Sequence, residues 1–247
     1  MVRNRIYRTF AYREAVFRIC CEAFDAVAHA IVRQRRLLED YIRRHPAFGS
    51  SFEPVELLPD APEIARRMVR AGRAVGVGPM AAVAGAMAQW AAEAGLKAGA
   101  AEAIVDNGGD IYLQAAEPVA VGLHAGMGKP ANRLAFSLQP TDMPVAICSS
   151  SGRMGHSMSL GRCDLATVVA RDAALADAVA TQAANVIRTV GDMDAALERI
   201  GAIDGVDGLL IVQDDRVGLA GHLPPLVRSL QRVGHRRNWQ VNERYPS

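Results

Sequence analysis

The stretch Ala103-Ile104-Val105-Asp106-Asn107-Gly108-Gly109-Asp110-Ile111-Tyr112-Leu113 sets two short apolar runs on either side of a glycine turn. Asn-Gly between such runs is a strong short-range hairpin signal, so residues 103–105 and 111–113 are expected as neighbouring antiparallel strands. Working outward, short strands are expected at 119–123, 133–138, 145–148 and 165–170. A closing hairpin, 208–212 with 216–220, turns at Asp214-Asp215. Residues 5–20 alternate arginines with Ile6, Phe10, Val16, Phe17 and Ile19, which predicts one or two strands with a basic outer face. Helices are expected over 22–44, 62–72, 80–95, 172–190 and 192–200. In the first of these, Phe24, Val27, Ala28, Ile31, Leu38, Tyr41 and Ile42 recur at helical spacing, and His45-Pro46 ends the pattern. Residues 48–62 are expected as a connector, and the chain after His222 as a frayed basic tail. Strands thus come in neighbouring pairs and do not alternate strictly with helices. That predicts an α+β layered fold with a largely antiparallel sheet backed by helices. No internal repeat or low-complexity linker divides the sequence, so a single domain over 1–247 is expected, with 223–247 as its tail.

Composition narrows the function class. Half of the 247 residues are hydrophobic and 22% are charged, the balance of a soluble globular chain. Residues 1–50 hold ten Lys and Arg against five Asp and Glu, whereas the middle of the chain is acidic. No basic tract is interleaved with aromatics, so nucleic-acid binding is not expected. The apolar run 75–92 is broken by Gly76, Gly78, Pro79, Gly85 and Gln89 and reads as a buried helix, not a membrane span. The four cysteines, Cys20, Cys21, Cys148 and Cys163, form no Cys-x-x-Cys pair and read as reduced thiols. No signal-peptide pattern opens the sequence, and a cytoplasmic location is the expectation.

Three constellations can carry chemistry. Asn107-Gly108-Gly109-Asp110 is either a plain hairpin turn or a loop that lets a ligand approach the backbone, with Asn107 and Asp110 hydrogen-bonding a ribose or base. Ser149-Ser150-Ser151-Gly152-Arg153, followed by Gly155-His156-Ser157, is either an exposed loop or an anion nest. In the second reading Ser150, Ser151 and Gly152 meet a phosphate, and His156 serves as general acid or base. Asp177 and Thr181 stand four residues apart in an alanine-rich segment and share a helix face. They are either an exposed acid with a back-bonded hydroxyl or a pair of hard oxygen ligands for Mg²⁺. Two decoys fail. The run 122–129 has Met127 and Pro130 where a phosphate loop needs Gly and Ser or Thr, and Gly76-Val77-Gly78 lacks a third glycine.

Taken in order, Val77-Gly78-Pro79-Met80-Ala81-Ala82-Val83-Ala84-Gly85, then 106–110, then Ser150-Ser151-Gly152 with Gly155-His156-Ser157, then Ala176-Asp177-Ala178 with Ala180-Thr181, resemble an uncharacterised family of ApbE-like proteins. That family is related to the FAD:protein FMN transferases. The resemblance implies a duplicated T-fold, each unit an antiparallel sheet backed by helices. It also implies a nucleotide site with FAD and Mg²⁺, in which Gly108, Gly109 and Asp110 line the flavin nucleotide and Asp177 and Thr181 hold the metal. T-fold proteins assemble through sheet edges, so a homo-oligomer is implied as well. Two segments depart from the transferases. Their Gly-Gly-Ile-Ala-Lys-Gly-like run corresponds to Ala81-Ala82-Val83-Ala84-Gly85-Ala86, without the lysine, and their His-x-x-Asp-Pro-x-Thr-Gly segment has no counterpart in 157–164. Two expectations follow: a Mg²⁺-dependent flavin- or nucleotidyl-transferase-like enzyme with His156 and Asp177 as its catalytic residues, or a non-catalytic nucleotide-binding or assembly protein that keeps only the pocket.

Overall fold

A computed structural model describes residues 5–126, 130–152 and 161–228. The 103–114 stretch forms the expected hairpin, β3 (Ala103–Asn107) and β4 (Asp110–Gln114), with Gly108 and Gly109 as its two-residue loop. Both glycines take positive φ, 74° and 112°, which accounts for the residue type at this turn.

Around it lies one eight-stranded antiparallel sheet. Its remaining strands are β1 (Arg8–Tyr12), β2 (Ala15–Cys21), β7 (Val145–Ser150), β8 (Leu165–Ala170), β9 (Val206–Gln213) and β10 (Arg216–Gly221). The spatial order is β1-β2-β3-β4-β7-β8-β9-β10, with the two halves joined where β4 pairs with β7. Each half has the same connectivity: a hairpin, then helices, then a second hairpin that pairs onto the first. In the first half the helices are α1 (Phe24–Arg44), α2 (Pro46–Ser50), α3 (Glu63–Val75) and α4 (Val83–Lys97). In the second they are α5 (Ala173–Val186) and α6 (Met193–Gly201). Strands β5 (Val119–Gly122), β6 (Leu134–Leu138) and β11 (Leu226–Arg228) form a separate three-stranded sheet.

The period-two alternation of the strands decides the layering. Along β7, Ala146 and Cys148 face the helices, whereas Val145 and Ile147 face the small sheet. The eight-stranded sheet is therefore covered on both sides, and all six residues of β8 are buried. α4 packs against α1, α5, β3 and β4, consistent with its apolar, alanine-rich surface. Its neighbours approach closely at Gly85, where a Cβ would stand 2.1 Å from the Ala173 carbonyl oxygen.

Four local differences from the sequence reading have physical causes. The 48–62 connector begins inside α2, because Phe48 is fully buried and its ring meets Tyr41 at 5.1 Å. Helix α3 continues past Gly72 to Val75 and stops at Gly76, whose φ of 76° suits a left-handed cap. Pro79 starts a 3₁₀ turn, Pro79–Ala82, and α4 begins only after it. The tail beyond His222 does not fray at once, since Leu226–Arg228 pairs with β6. No single helix among the described residues is long and apolar enough to cross a membrane.

Candidate functional site

One cleft of about 1270 Å³ opens at the strand ends where the halves of the main sheet meet, and both the helix layer and β5 of the small sheet contribute to its lining. The β3–β4 turn supplies Gly108, Gly109 and Asp110, and the end of β7 supplies Ser149, Ser150 and Ser151. Helix α5 supplies Asp177 and Thr181. Residues expected from three separated motifs therefore share one cavity. The fold achieves this because β4 and β7 are paired, with Asp110 opposite Cys148, and α5 packs against β7 and α4.

Asp177 is buried, not exposed. Its Oδ2 accepts the Gly85 amide at 2.9 Å. Helix α4 has no side-chain cap, because Ala82 occupies the N-cap position. Its first-turn amides are orphans that a carboxylate from another helix satisfies. Burial raises the Asp177 carboxyl to about 7, against the opposing pull of the Gly85 and Ala84 amides. Among the described residues no ion pair reaches Asp177, and the Arg171 guanidinium instead donates to the Pro144 carbonyl at 2.6 Å.

Asp110 is 8% exposed, and its Oδ1 has no hydrogen-bond partner among the described residues. Burial pushes its carboxyl well above the usual range, and the negative charge of Asp177 pushes it further. The Cys148 thiol and the Ser149 amide work in the opposite direction. Burial, followed by the charges of Asp110 and Asp177, pushes the Cys148 thiol well up as well. Asp106 closes the hairpin by accepting the Gly109 amide at 2.9 Å, with Arg18 3.8 Å away on β2.

Two other expected residues, Asn107 and Gly152, do not line the cleft. The Asn107 side-chain amide donates to the Ala84 carbonyl at 3.2 Å and so ties the hairpin to α4, outside the cleft lining. Gly152 is absent from the lining too. Its amide donates to the Cys163 carbonyl at 2.9 Å, and a Cβ there would lie 2.5 Å from the Gly161 oxygen. The serine segment is not a free loop at its start, because β7 runs through Ser150. The Ser149 hydroxyl meets that of Thr167 at 2.9 Å, and the Ser151 hydroxyl donates to the Cys163 carbonyl. The Gly152 amide is thus engaged by Cys163, and the rest of the expected anion nest, residues 153–157, lies outside the described residues. His156 and Arg153 lie outside the described residues.

The proximity of Asp110 to Asp177, felt as a charge influence within one cleft, has no sequence signal. The sequence reading also missed the cleft-lining Phe52, His124 and Arg188. Phe52 is 61% exposed beside the cleft, and its carbonyl accepts the Gly78 amide at 2.8 Å. One signal was available. A helix that starts Ala82-Val83-Ala84-Gly85 carries no capping side chain, so its amides call for an acid from elsewhere.

A family model described as "AbpE bacteria" matches residues 16–206. The UPF0280 protein of Archaeoglobus fulgidus is 43% identical over 224 residues, covering 88% of this chain and 92% of that protein. The UPF0280 protein of Methanosarcina acetivorans is 38% identical over 232 residues, covering 92% of this chain and 91% of that protein. Two solved structures share the fold at low identity. A mutant of the flavin transferase ApbE from Vibrio cholerae superposes with a TM-score of 0.53 at 13% identity, over 89% of this chain and 97% of that one. The apo flavinyl transferase ApbE of Pseudomonas stutzeri gives 0.53 at 10% identity, over 87% and 93%. The mixed helical and antiparallel architecture is thus that of the ApbE proteins, and by its sequence relatives the chain belongs to the UPF0280 family of ApbE-like proteins.

Proposed function

We propose that the cleft binds a phosphate-bearing nucleotide together with Mg²⁺, and that a flavin nucleotide such as FAD is its ligand. The observation that carries this reading is the convergence of buried Asp177, buried Asp110 and Thr181 on one cleft of about 1270 Å³. Small-molecule pockets span roughly 300–1,000 Å³, so the space suits a ligand of dinucleotide size. Hard oxygen donors on α5 fit Mg²⁺, which is held by one or two carboxylates plus substrate phosphates. Asp177 and Thr181 would hold the cation, Gly108 and Gly109 would line the nucleoside, and Ser150 and Ser151 would approach the phosphates. A bound Mg²⁺ supplies charge stabilisation at a phosphoanhydride. The structural neighbours are flavin transferases, and that is the support for choosing a flavin.

The two halves of the main sheet are read as two T-fold units within one domain. The setting is read as cytoplasmic, without a nucleic-acid or membrane partner, and self-assembly would use the sheet edges β1 and β10.

A second reading, nucleotide binding without group transfer, is favoured by one observation. The run comparable to the transferases' lysine-bearing segment is Ala81-Ala82-Val83-Ala84-Gly85-Ala86, and here its Gly85 amide serves Asp177. Titration of FAD, FMN and ATP with and without Mg²⁺, on the wild type and on Asp177→Asn, tests the primary reading. Mg²⁺-dependent binding that disappears in the variant is expected. Unchanged affinity in Asp177→Asn overturns the metal assignment, and no binding of any nucleotide to the wild type overturns the site. Release of AMP from FAD, or labelling of a protein hydroxyl, would separate transfer from binding alone.

A further inference from the structure

We propose that Asp110 is a direct ligand of the cleft's divalent cation, so that the cation sits between the carboxylates of Asp110 and Asp177. The proposal rests on the reading of the cleft as a metal-nucleotide site and gives Asp110 a role other than nucleoside recognition.

The two buried carboxylates are provided for differently. Asp177 has a built partner in the first turn of α4, where the Gly85 amide donates at 2.9 Å. Asp110 is more than nine-tenths buried and lines the same cleft, yet its Oδ1 has no partner among the described residues. An orphaned oxygen in a hydrogen-bonded hairpin is expensive to keep, and an ionised one more so. A cation between the carboxylates satisfies the orphan and cancels the repulsion in one step.

The surroundings support this. The Cys148 thiol and the Ser149 amide lie against the Asp110 carboxylate. Neither brings a positive charge, and among the described residues the Arg18 guanidinium on β2 lies 3.8 Å from Asp106 instead. The strand pairing that fixes Asp110 opposite Cys148 also holds it rigidly, as does contact between the Cys148 thiol and the Ala173 carbonyl at the start of α5. The carboxylates therefore come from the two halves of the fold, Asp110 from β4 and Asp177 from α5. Two carboxylates and the Thr181 hydroxyl leave the other positions of a Mg²⁺ shell to water and phosphate oxygens.

The test is calorimetric titration of Mn²⁺ and Mg²⁺ alone into the full chain, without nucleotide, for the wild type, Asp110→Asn, Asp110→Ser and Asp177→Asn. Melting temperatures are recorded with and without cation. Asp110→Asn is expected to weaken Mn²⁺ by more than the roughly 10–100-fold that loss of an outer-shell partner costs. Without cation it should melt above the wild type, because the repulsion is gone, and added Mn²⁺ should no longer raise its melting point. If Asp110→Asn folds poorly, Asp110→Ser carries the same comparison. Wild-type affinity in the Asp110 variants with loss in Asp177→Asn overturns the proposal and leaves the metal-nucleotide reading standing. A wild type that binds neither cation, with or without FAD, overturns both.

Discussion

The Asp177 carboxylate on α5 accepts the Gly85 amide of α4 at 2.9 Å, so an acid from one half of the fold caps a helix from the other. The absent side-chain cap at Ala82 and the missing Cβ at residue 85 are parts of the same arrangement. One leaves the amide without a local partner, and the other lets α5 come near enough to supply one.

Stability should therefore depend on pH in a definite direction. Asp177 is raised from 3.8 to about 7, so between those values the folded state holds a proton that the unfolded chain has released. Its contribution to stability is complete below the unfolded value and is lost as pH rises through about 7. Asp110, raised by burial and by Asp177, acts in the same sense. Urea denaturation of the cation-free protein at successive pH values should show this decline, and Asp177→Asn should flatten it. An equally steep decline in the variant would assign the effect to other groups.

Gly85→Ala should destabilise the fold and damage the cleft together. The added Cβ would meet the Ala173 carbonyl oxygen at 2.1 Å and the Asp177 Cβ at 2.9 Å. The first contact is with backbone, so α4 and α5 must separate. Overpacking of this kind costs about 1–3 kcal/mol. Chemical denaturation measures the loss, and Mn²⁺ titration reads the displacement of Asp177.

Gly78→Ala should act at the cleft wall. A Cβ there would lie 1.9 Å from the Ser51 carbonyl oxygen, beside the Gly78 amide bond to the Phe52 carbonyl. The 51–53 segment lines the cleft and must move aside. Nucleotide affinity should fall while Mn²⁺ binding in the absence of nucleotide stays near that of the wild type. Equal losses in both titrations would show that the damage extends to the metal end.

The two glycines of the β3–β4 turn should differ in tolerance. Neither Cβ would meet an atom closer than 4.0 Å, so only backbone conformation is at stake. Gly108 sits at φ 74°, near the left-handed region that Asn accepts, whereas Gly109 sits at 112°. Gly109→Ala should cost about 1–3 kcal/mol, and Gly108→Asn distinctly less. Denaturation midpoints at constant slope report the difference.

The fold was legible where its determinants are local. The 103–113 hairpin, the apolar face of α1 and the strand at 145–148 follow from residue type and spacing, and all appear in the structure. The misreadings fall where a distant neighbour overrides the local signal. Phe48 makes a helix out of a connector by burying its ring on Tyr41, and Leu226–Arg228 becomes a strand because β6 offers an open edge. At the site, the glycine turn, the serines and the Asp177–Thr181 pair were visible as chemistry-bearing residues. Asn107 and Gly152 were visible for the same reason, and their amides are engaged by the Ala84 and Cys163 carbonyls.

By itself the sequence determined that paired strands form an antiparallel α+β fold, that Gly108 and Gly109 make a turn, and that Asp177 and Thr181 share a helix face. Periodicity and turn chemistry are properties of a few neighbouring residues, and they can be read without the rest of the chain. Only the tertiary structure decided that Asp177 is buried with the Gly85 amide as its partner and that Asp110 lines the same cleft. Those relationships depend on the pairing of β4 with β7 and on the close approach of α4 to α5. No spacing along the chain encodes such an approach between elements so far apart in sequence.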